Sequence, residues 1–504
     1  MDVILSAFSL IGDPQVLLVV ILSAAFGMFV GAMPGLTATM AVALLVPITF
    51  FMAPVPALAA IVTASSMAIF AGDIPAAMLR MPGTPASAAY TDESYAMGRK
   101  GLLNLTLGTN LLVSVIGGLI GVAALIFAAP ALAEVALRFT AFEYFWLTAL
   151  GLSCAIFIAS SDPLKAMLSL LIGLSLATVG IDPTAGVQRF TFGNVELMGG
   201  INFIPAMIGL FAISEIMRGA MRMQNTTPDM PPQSGPVFKG VGKVIWTYKK
   251  NVARGSILGT MIGALPGAGA DIAAWISYAV SKRFSKEKEK YGTGHIEGVV
   301  DATAANNSSV GAAWIPALVF GIPGDSITAI VIGVLYMKGM NPGPTVFLEN
   351  PQFIYAVFMI FIVANLVMIP MGWAVIKGAR PILRVPRQVL LPIILIFCIV
   401  GSFAMTNSIY GVVLMLGFGV AGWLLEENGY PVAPIILGLV LGGMFERTFM
   451  SSMLRTGGDL LGFFERPIAA TLGVITLLLW AFTIFRALQA RGRPSAPILP
   501  GGAG

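Results

Sequence analysis

Apolar residues along this chain fall in long blocks, separated by short stretches rich in glycine, proline or polar residues. A first series occupies 15–33, 36–53, 55–80, 102–130, 141–160, 163–180 and 201–221. A polar, proline-containing stretch runs from Met223 to Lys250. A second series follows at 253–265, 268–283, 299–322, 326–337, 352–376, 388–404, 408–425, 431–448 and 468–488. The longer blocks match the roughly 20 residues that a helix needs to cross a hydrocarbon core of about 30 Å. Open sheet edges do not survive in lipid, and barrel strands are too short for such blocks, so each block predicts a helix. The fold class expected is an all-α polytopic membrane protein.

The two series are related. Gly27-Met-Phe-Val-Gly31-Ala-Met-Pro34-Gly35 aligns with Gly259-Thr-Met-Ile-Gly263-Ala-Leu-Pro266-Gly267 at an offset of 232. Ala64-Ser65-Ser66, Ile74-Pro75-Ala76 and Pro82-Gly83-Thr84 align with Ala305-Asn306-Asn307, Ile315-Pro316-Ala317 and Pro323-Gly324-Asp325 at an offset of 241. Pro205 and Gly209-Leu210 are matched late in the second half by Pro434 and Gly438-Leu439. Matches in the same order mark a fused duplication. The expected division is a first transmembrane repeat at 1–222, a linker at 223–250, a second repeat at 251–450, and an extra C-terminal helix and tail at 451–504.

Charge gives the two halves opposite orientations, because Lys and Arg accumulate in cytoplasmic loops. Seven Lys/Arg and one acid, Asp229, lie between Arg218 and Arg254, so the linker is expected in the cytoplasm. The loop from Lys282 to Lys290 carries five Lys/Arg, while its counterpart at Phe51 to Pro56 carries none. The turn holding Lys377, Arg380, Arg384 and Arg387 faces a counterpart, Pro130 to Glu143, with Arg138 against Glu134 and Glu143. Arg99-Lys100 in turn corresponds to a loop holding only Lys338 and Glu349. Each loop swaps sides, as an inverted repeat requires. The N-terminus is expected outside and the tail, with Arg486, Arg491 and Arg493, in the cytoplasm. Inverted repeats are a recurring design of secondary transporters, which hold their substrates near the midplane at broken helices.

Composition removes other classes. The 504 residues are 57% hydrophobic and 11% charged, with mean hydropathy +0.89; a soluble domain carries about 25% charged residues. A soluble enzyme, a disordered scaffold and a disulfide-framed secreted domain are therefore excluded. Cys154 and Cys398 sit in apolar blocks without CxxC spacing and read as inert buried thiols. His295, the single histidine, lies in a polar loop and leaves no histidine metal cluster or Ser-His triad. The net charge of +5 reports topology rather than nucleic-acid binding. Asp2 and Asp13 are the only charges before the first block, so no cleavable signal peptide is expected.

Four Pro-Gly pairs interrupt apolar blocks: Pro34-Gly35, Pro82-Gly83, Pro266-Gly267 and Pro323-Gly324. Proline lacks a backbone donor and glycine tolerates positive φ, so each pair is a helix break. In a membrane, such a break survives only when buried in protein or lining a watery cavity. A helix restarting after a break offers free N–H groups and the positive end of its dipole to an anion. The candidate substrate-binding residues are Gly35, Thr37, Thr39, Gly83, Thr84, Ser87, Gly267, Gly269, Gly324 and Ser326. Their threonines and serines serve equally well as N-caps. Candidate coupling-ion ligands are the intramembrane oxygens of Ser65, Ser66, Asp271, Asn306, Asn307 and Asp325. Interhelical hydrogen bonding is the alternative for the asparagines. Asp73 and Asp301 are weaker candidates, since either fits an interface; Arg80 could pair with a substrate carboxylate or with an acid. Gly27/Gly31 and Gly259/Gly263 read as helix-packing surfaces, and the runs Glu426-Glu427-Asn428 and Lys286-Glu287-Lys288-Glu289 as solvated loops.

These motifs carry a family resemblance. Gly31-Ala-Met-Pro-Gly-Leu-Thr-Ala-Thr39 and Pro82-Gly-Thr-Pro-Ala-Ser87 resemble motifs of the large membrane subunit of tripartite tricarboxylate transporters, the TctA family. So do Gly263-Ala-Leu-Pro-Gly-Ala-Gly-Ala-Asp271, Asn306-Asn307 and Gly321-Ile-Pro-Gly-Asp325, and the similarity runs from about Leu17 to Phe464. The resemblance implies a permease of the bacterial inner membrane that imports a carboxylate, not an enzyme. It further implies a small membrane subunit, a periplasmic solute-binding protein, and an ion gradient as driving force. An anion carried to the midplane without compensating charge is costly, so a co-transported Na⁺ or H⁺ is expected as the only cofactor. Oxygen ligands of Asn, Ser and Thr favour Na⁺, while Asp271 and Asp325 keep H⁺ open. A channel or facilitator stays open as an alternative, as does a membrane-embedded enzyme. The two helix-break pairs would bind substrate and cation between the repeats, and an elevator or rocking motion would alternate access.

Overall fold

The computed structural model describes residues 2–34, 36–159, 163–182, 185–221, 235–267, 269–383 and 387–491. Helices of the first half are α1 (Asp2–Ile11), α2 (Pro14–Ala32), α3 (Ala38–Phe50), α4 (Pro54–Ala71), α5 (Asp73–Leu79), α6 (Thr91–Met97) and α7 (Leu103–Ala136). Next come α8 (Ala141–Ala159), α9 (Pro163–Ala177), α10 (Phe203–Met207) and α11 (Ser214–Met221), the last two joined in one continuous helical stretch. After α12 (Val241–Thr247), the second half contains α13 (Lys249–Gly263), α14 (Gly269–Phe284), α15 (Ile296–Phe320), α16 (Ser326–Met337), α17 (Val346–Glu349) and α18 (Pro351–Lys377). The chain then forms α19 (Ala379–Leu383), α20 (Arg387–Thr406), α21 (Ile409–Glu427), α22 (Ala433–Arg455) and α23 (Pro467–Arg491). Among the described residues, eight helical stretches are long and apolar enough to cross a membrane. The protein is an all-α polytopic membrane protein.

Small residues decide how the central helices pack. Gly27 lies against Ala64 and Gly31 against Ala68, so α2 and α4 run in the same direction with α3 returning between them. Gly259 against Ala305 and Gly263 against Ser309 set α13 parallel to α15, with α14 returning. These glycines are packing surfaces, as the sequence predicts. At 1.5 Å per residue, the 13 residues of α3 extend about 20 Å, too short to cross about 30 Å. Thus α2–α3 and α13–α14 are hairpins whose tips hold the Pro34 and Pro266 breaks.

The hairpins open on opposite faces. Lys338, after α16, donates to the carbonyls of Phe50 and Met52 at the open end of the first hairpin, 2.8 and 2.6 Å away. The open end of the second lies at the other face, beside the loop before α15. There Lys100 donates to the Thr293 carbonyl at 2.6 Å. Glu93 accepts from the backbone N–H groups of Gly292, Gly294 and His295 and from the Tyr278 hydroxyl, tying α6 to that loop. Between the hairpins, α7 runs parallel to α15, with Gly117 on Ala304 and Gly121 on Ser308. Farther out the halves exchange equivalent helices: Gly173 of α9 packs on Ile435 of α22, and Gly209 packs on Met415 of α21. Residues 55–78 are wholly buried, whereas α20 and α21 leave most of their apolar surface outward, as lipid-facing helices do.

The structure departs from the sequence reading in several places. Helices α1, α6, α12, α17 and α19 were not anticipated, nor was the two-stranded ribbon pairing Gly180–Ile181 with Gln188–Arg189. Most are one or two turns long, too short to show a period of 3.6 residues. The block 55–80 is two helices, α4 and α5, meeting at Gly72. Helix α12 lies within the 223–250 linker, where Val237 and Val241 pack on α7, and α13 already begins at Lys249. The division at 450 falls inside α22. Lys249 stands over Trp246 and Lys377 over Trp373, each 4.1 Å from the ring centre, as cation–π pairs.

Candidate functional site

The two hairpin tips converge on one cavity of about 380 Å³. The first hairpin contributes Thr37 and Thr39, the second Gly267, Gly269 and Asp271, and the loops after α5 and α15 contribute Thr84, Asp325 and Ser326. Asn306, in the middle of α15, forms part of the wall. Helix α3 begins here with Thr37 as N-cap, its hydroxyl accepting from Met40 N at 3.2 Å. Helix α16 begins here with a reciprocal cap. Asp325 Oδ1 accepts from Thr328 N at 2.7 Å, while Asp325 N donates to Thr328 Oγ1 at 2.8 Å. Asp271 sits in the first turn of α14. Three helix N-termini therefore end at the cavity.

Glycine is required where the tips meet. Gly269 holds φ +59, and a Cβ there would come within 2.8 Å of the Asp325 Cβ. Gly267, at φ +79, donates its N–H to the Pro323 carbonyl at 3.2 Å, joining one broken segment to the other. Asp271 is open to the cavity, which Asp325 also lines.

The remaining candidates are placed elsewhere. Thr84 and Ser87 cap one another, with Ser87 N donating to Thr84 Oγ1 and Thr84 N to Ser87 Oγ, both at 3.1 Å; only Thr84 reaches the cavity. Gly83 is packed against Gly72, and Gly324 against Ala313. Ser65 and Ser66 both donate to the Val62 carbonyl at 2.9 Å within α4. Asn307 donates to Ser114 Oγ of α7 at 2.7 Å, an interhelical bond away from the cavity. Gly35 lies outside the described residues, as does the side chain of Cys154. Cys398 is a buried free thiol.

Three charged residues in the cavity wall were missed: Glu215, Arg218 and Glu426. Arg218 binds Glu215 at 2.8 Å, pairs with Glu426 and stands 3.7 Å from Glu427. The run at Glu426 is therefore no solvated loop. It is the last turn of α21 and joins the two halves at the cavity mouth. The matched segments at Pro205 and Pro434 were the available signal, since Leu210, Pro434 and Leu437 line the same wall. Of the readings open for Arg80, the structure shows pairing with an acid: it is exposed, outside the cavity, and bound to Asp92 at 2.8 Å. Asp73 and Asp301 are both fully buried. Asp301 is paired with Arg254 at 2.6 Å, whereas Asp73 accepts from the Tyr90 hydroxyl at 2.6 Å.

The cavity offers hard oxygen atoms suited to an alkali cation and N-terminal amides suited to an anion. Its one arginine among the described lining residues is already occupied by carboxylates.

Comparison with known proteins bears on what this cavity serves. A protein of Agrobacterium vitis, described as an uncharacterized 52.8 kDa protein in the TAR-I ttuC' 3' region, is 34% identical over 474 residues, covering 92% of each chain. A second from the same organism, described as an uncharacterized protein in the TAR-II ttuC' 3' region, is 32% identical over 224 residues. That match covers 44% of the present chain and 93% of the relative. No solved structure matches the chain. The family model of the tripartite tricarboxylate transporter TctA family matches residues 17–437, which include both hairpin tips and every described residue of the cavity wall. With the hairpin tips meeting at that wall, the chain belongs to the tripartite tricarboxylate transporter TctA family.

Proposed function

We propose that this chain is the permease subunit of a binding-protein-dependent secondary transporter, importing an organic di- or tricarboxylate by cation symport with Na⁺ preferred over H⁺. The observation that carries the proposal is the meeting of two oppositely opening hairpin tips at one polar cavity. Discontinuous helices facing each other across a midplane site are how secondary transporters hold a substrate between repeats. The first turns of α3, α14 and α16 present N–H groups and positive dipole ends to the substrate carboxylates.

Electrostatics favour symport over simple facilitation. Asp271 and Asp325 both bring carboxylates to the cavity, and Arg218 is taken up by Glu215 and Glu426. An arriving polycarboxylate adds further negative charge, so a cation must enter with it. Asp271, Asp325 and the Asn306 amide oxygen are the hard ligands available. Uncoupled movement would leave that charge uncompensated. A small membrane subunit and a periplasmic solute-binding protein complete the system. The chain lies in the bacterial inner membrane, its N-terminus periplasmic and its C-terminus cytoplasmic.

The test is uptake of radiolabelled citrate, with a small dicarboxylate in parallel, by proteoliposomes holding this chain, its small subunit and the binding protein. An inward Na⁺ gradient should drive accumulation above equilibrium, and Asp271→Asn should abolish accumulation while leaving the protein folded. Equilibration without accumulation would mean a facilitator. Accumulation that follows only a proton gradient would replace Na⁺ by H⁺.

A further inference from the structure

Behind the cavity wall, linked to Asn306 through Tyr90, lies a buried carboxylate with no countercharge. Asp73 is fully buried at the start of α5, and among the described residues no Lys, Arg or His pairs with it. Its Oδ1 accepts from the Tyr90 hydroxyl at 2.6 Å, and its Oδ2 is short of a full hydrogen bond. The same phenol oxygen accepts from Asn306 Nδ2 at 3.2 Å, so Asp73, Tyr90 and Asn306 form a chain ending at the cavity. Asn110 lies alongside Asp73, and Thr303 alongside the Tyr90 hydroxyl. All five side chains are fully buried.

The cluster has oxygen atoms to spare. Asp73 Oδ2, Asn110 Oδ1, Thr303 Oγ1 and Asn306 Oδ1 are each buried short of a full hydrogen bond, as is the Asn110 Nδ2 donor beside Asp73. An orphaned buried acceptor costs about 1–3 kcal/mol, and an uncompensated buried carboxylate costs more. One proton would satisfy one of these oxygens. A dehydrated alkali cation would satisfy several together and neutralise the charge as well. The duplicated fold does not demand these residues: at the offset of 241, Asp73 and Tyr90 correspond to Trp314 and Val331. Asp73 and Tyr90 are thus additions of the first half, and Thr303 and Asn306 of α15 complete the cluster from the second.

We propose that Asp73, Asn110, Thr303 and Asn306, braced by Tyr90, form a buried site for a dehydrated Na⁺-type cation, filled from the cavity past Asn306 before substrate arrives. This deepens the ion-coupled reading above and rests on it. The site is distinct from the Asp271 and Asp325 carboxylates at the hairpin tips. A bound cation would fix Asn306 in the cavity wall, linking the loaded ion to the shape presented to the substrate.

The experiment uses the purified full chain without any carboxylate, so its outcome is independent of substrate identity. Thermal unfolding is followed in NaCl against KCl and choline chloride at constant ionic strength, and ²²Na⁺ binding is measured directly. The wild type should show a saturable, Na⁺-selective rise in Tm, retained in the exposed control Arg80→Gln outside the cavity and reduced in Asp73→Asn by the share this site contributes. Thr303→Val and Asn306→Ala, which keep the charge, should weaken Na⁺ binding about tenfold, as removal of a ligand or its supporting group does. They also carry the test if Asp73→Asn fails to fold. A Na⁺ effect equal in wild type and Asp73→Asn, no Na⁺ effect at all, or stabilisation that follows pH and ignores Na⁺ would each overturn the site. Na⁺ binding reduced in Asp73→Asn in a protein that takes up no carboxylate would leave this site standing and remove only the substrate assignment.

Discussion

Thr37 does two things at the first hairpin tip. Its hydroxyl accepts from Met40 N and starts α3, and its side chain lines the cavity. Asp325 has the same double position at α16. Capping and ligand binding are therefore compatible here, since a hydroxyl or carboxylate oxygen has more than one lone pair. Thr37→Ala should cost about 1 kcal/mol in the first turn of α3, or about fivefold faster amide exchange there. Uptake should fall in the same variant, and Thr37→Ser should restore both. Faster exchange with unchanged uptake would reduce Thr37 to a cap.

The hairpins depend on backbone contact. A Cβ on Gly31 would overlap the Ala68 backbone, and one on Gly263 would come within 2.7 Å of the Ser309 Cα. Gly31→Ala and Gly263→Ala should each destabilise by about 1–3 kcal/mol, the usual cost of overpacking, seen as a lower Tm. Gly242 in α12 is the control, because a Cβ there meets nothing within 4 Å. Gly242→Ala should leave Tm level or raise it, since alanine is favoured by about 1 kcal/mol in a helix. Equal shifts at all three positions would mean that close approach is not what holds the hairpins. The Pro-Gly motifs thus work with the Gly-x-x-x-Gly surfaces before them: one part breaks the helix, and the other seats it.

Opposed hairpins make a prediction for the molecule as a whole. Phe51, at the open end of the first, is 74% exposed, and Lys288 is exposed in the loop after the second. With Cys154 and Cys398 replaced by serine, Phe51→Cys should react with an impermeant maleimide from the periplasmic side and Lys288→Cys from the cytoplasmic side. Labelling of both from one side would refute the inverted arrangement. The charged bridge of Arg218 with Glu215 and Glu426 ties the first half to the second at the cavity mouth, across 208 residues of sequence between Arg218 and Glu426. Glu93 ties them again at the opposite flank of the second hairpin.

Much of this was legible before any coordinates. Lipid offers no partners to a broken backbone, so every spanning segment must be a helix and every break must be written in proline and glycine. That is why the block 326–337 coincides with α16, and why Pro34, Pro82-Gly83, Pro266-Gly267 and Pro323-Gly324 fall between helices. The duplication and its swapped charges were equally visible, because packing and topology repeat the same residue types. What the sequence alone could not decide is where a polar side chain points. Asn306 and Asn307 are neighbours of identical chemistry, but successive helical residues point about 100° apart. One therefore lines the cavity and the other binds Ser114 of α7. Arg218 and Glu426 read as separate loop charges until α11 and α21 bring them together. Helix formation is local and leaves its period in the chain. A cavity is made by segments hundreds of residues apart, and only their packing determines which oxygen atoms face it and which are left without partners behind it.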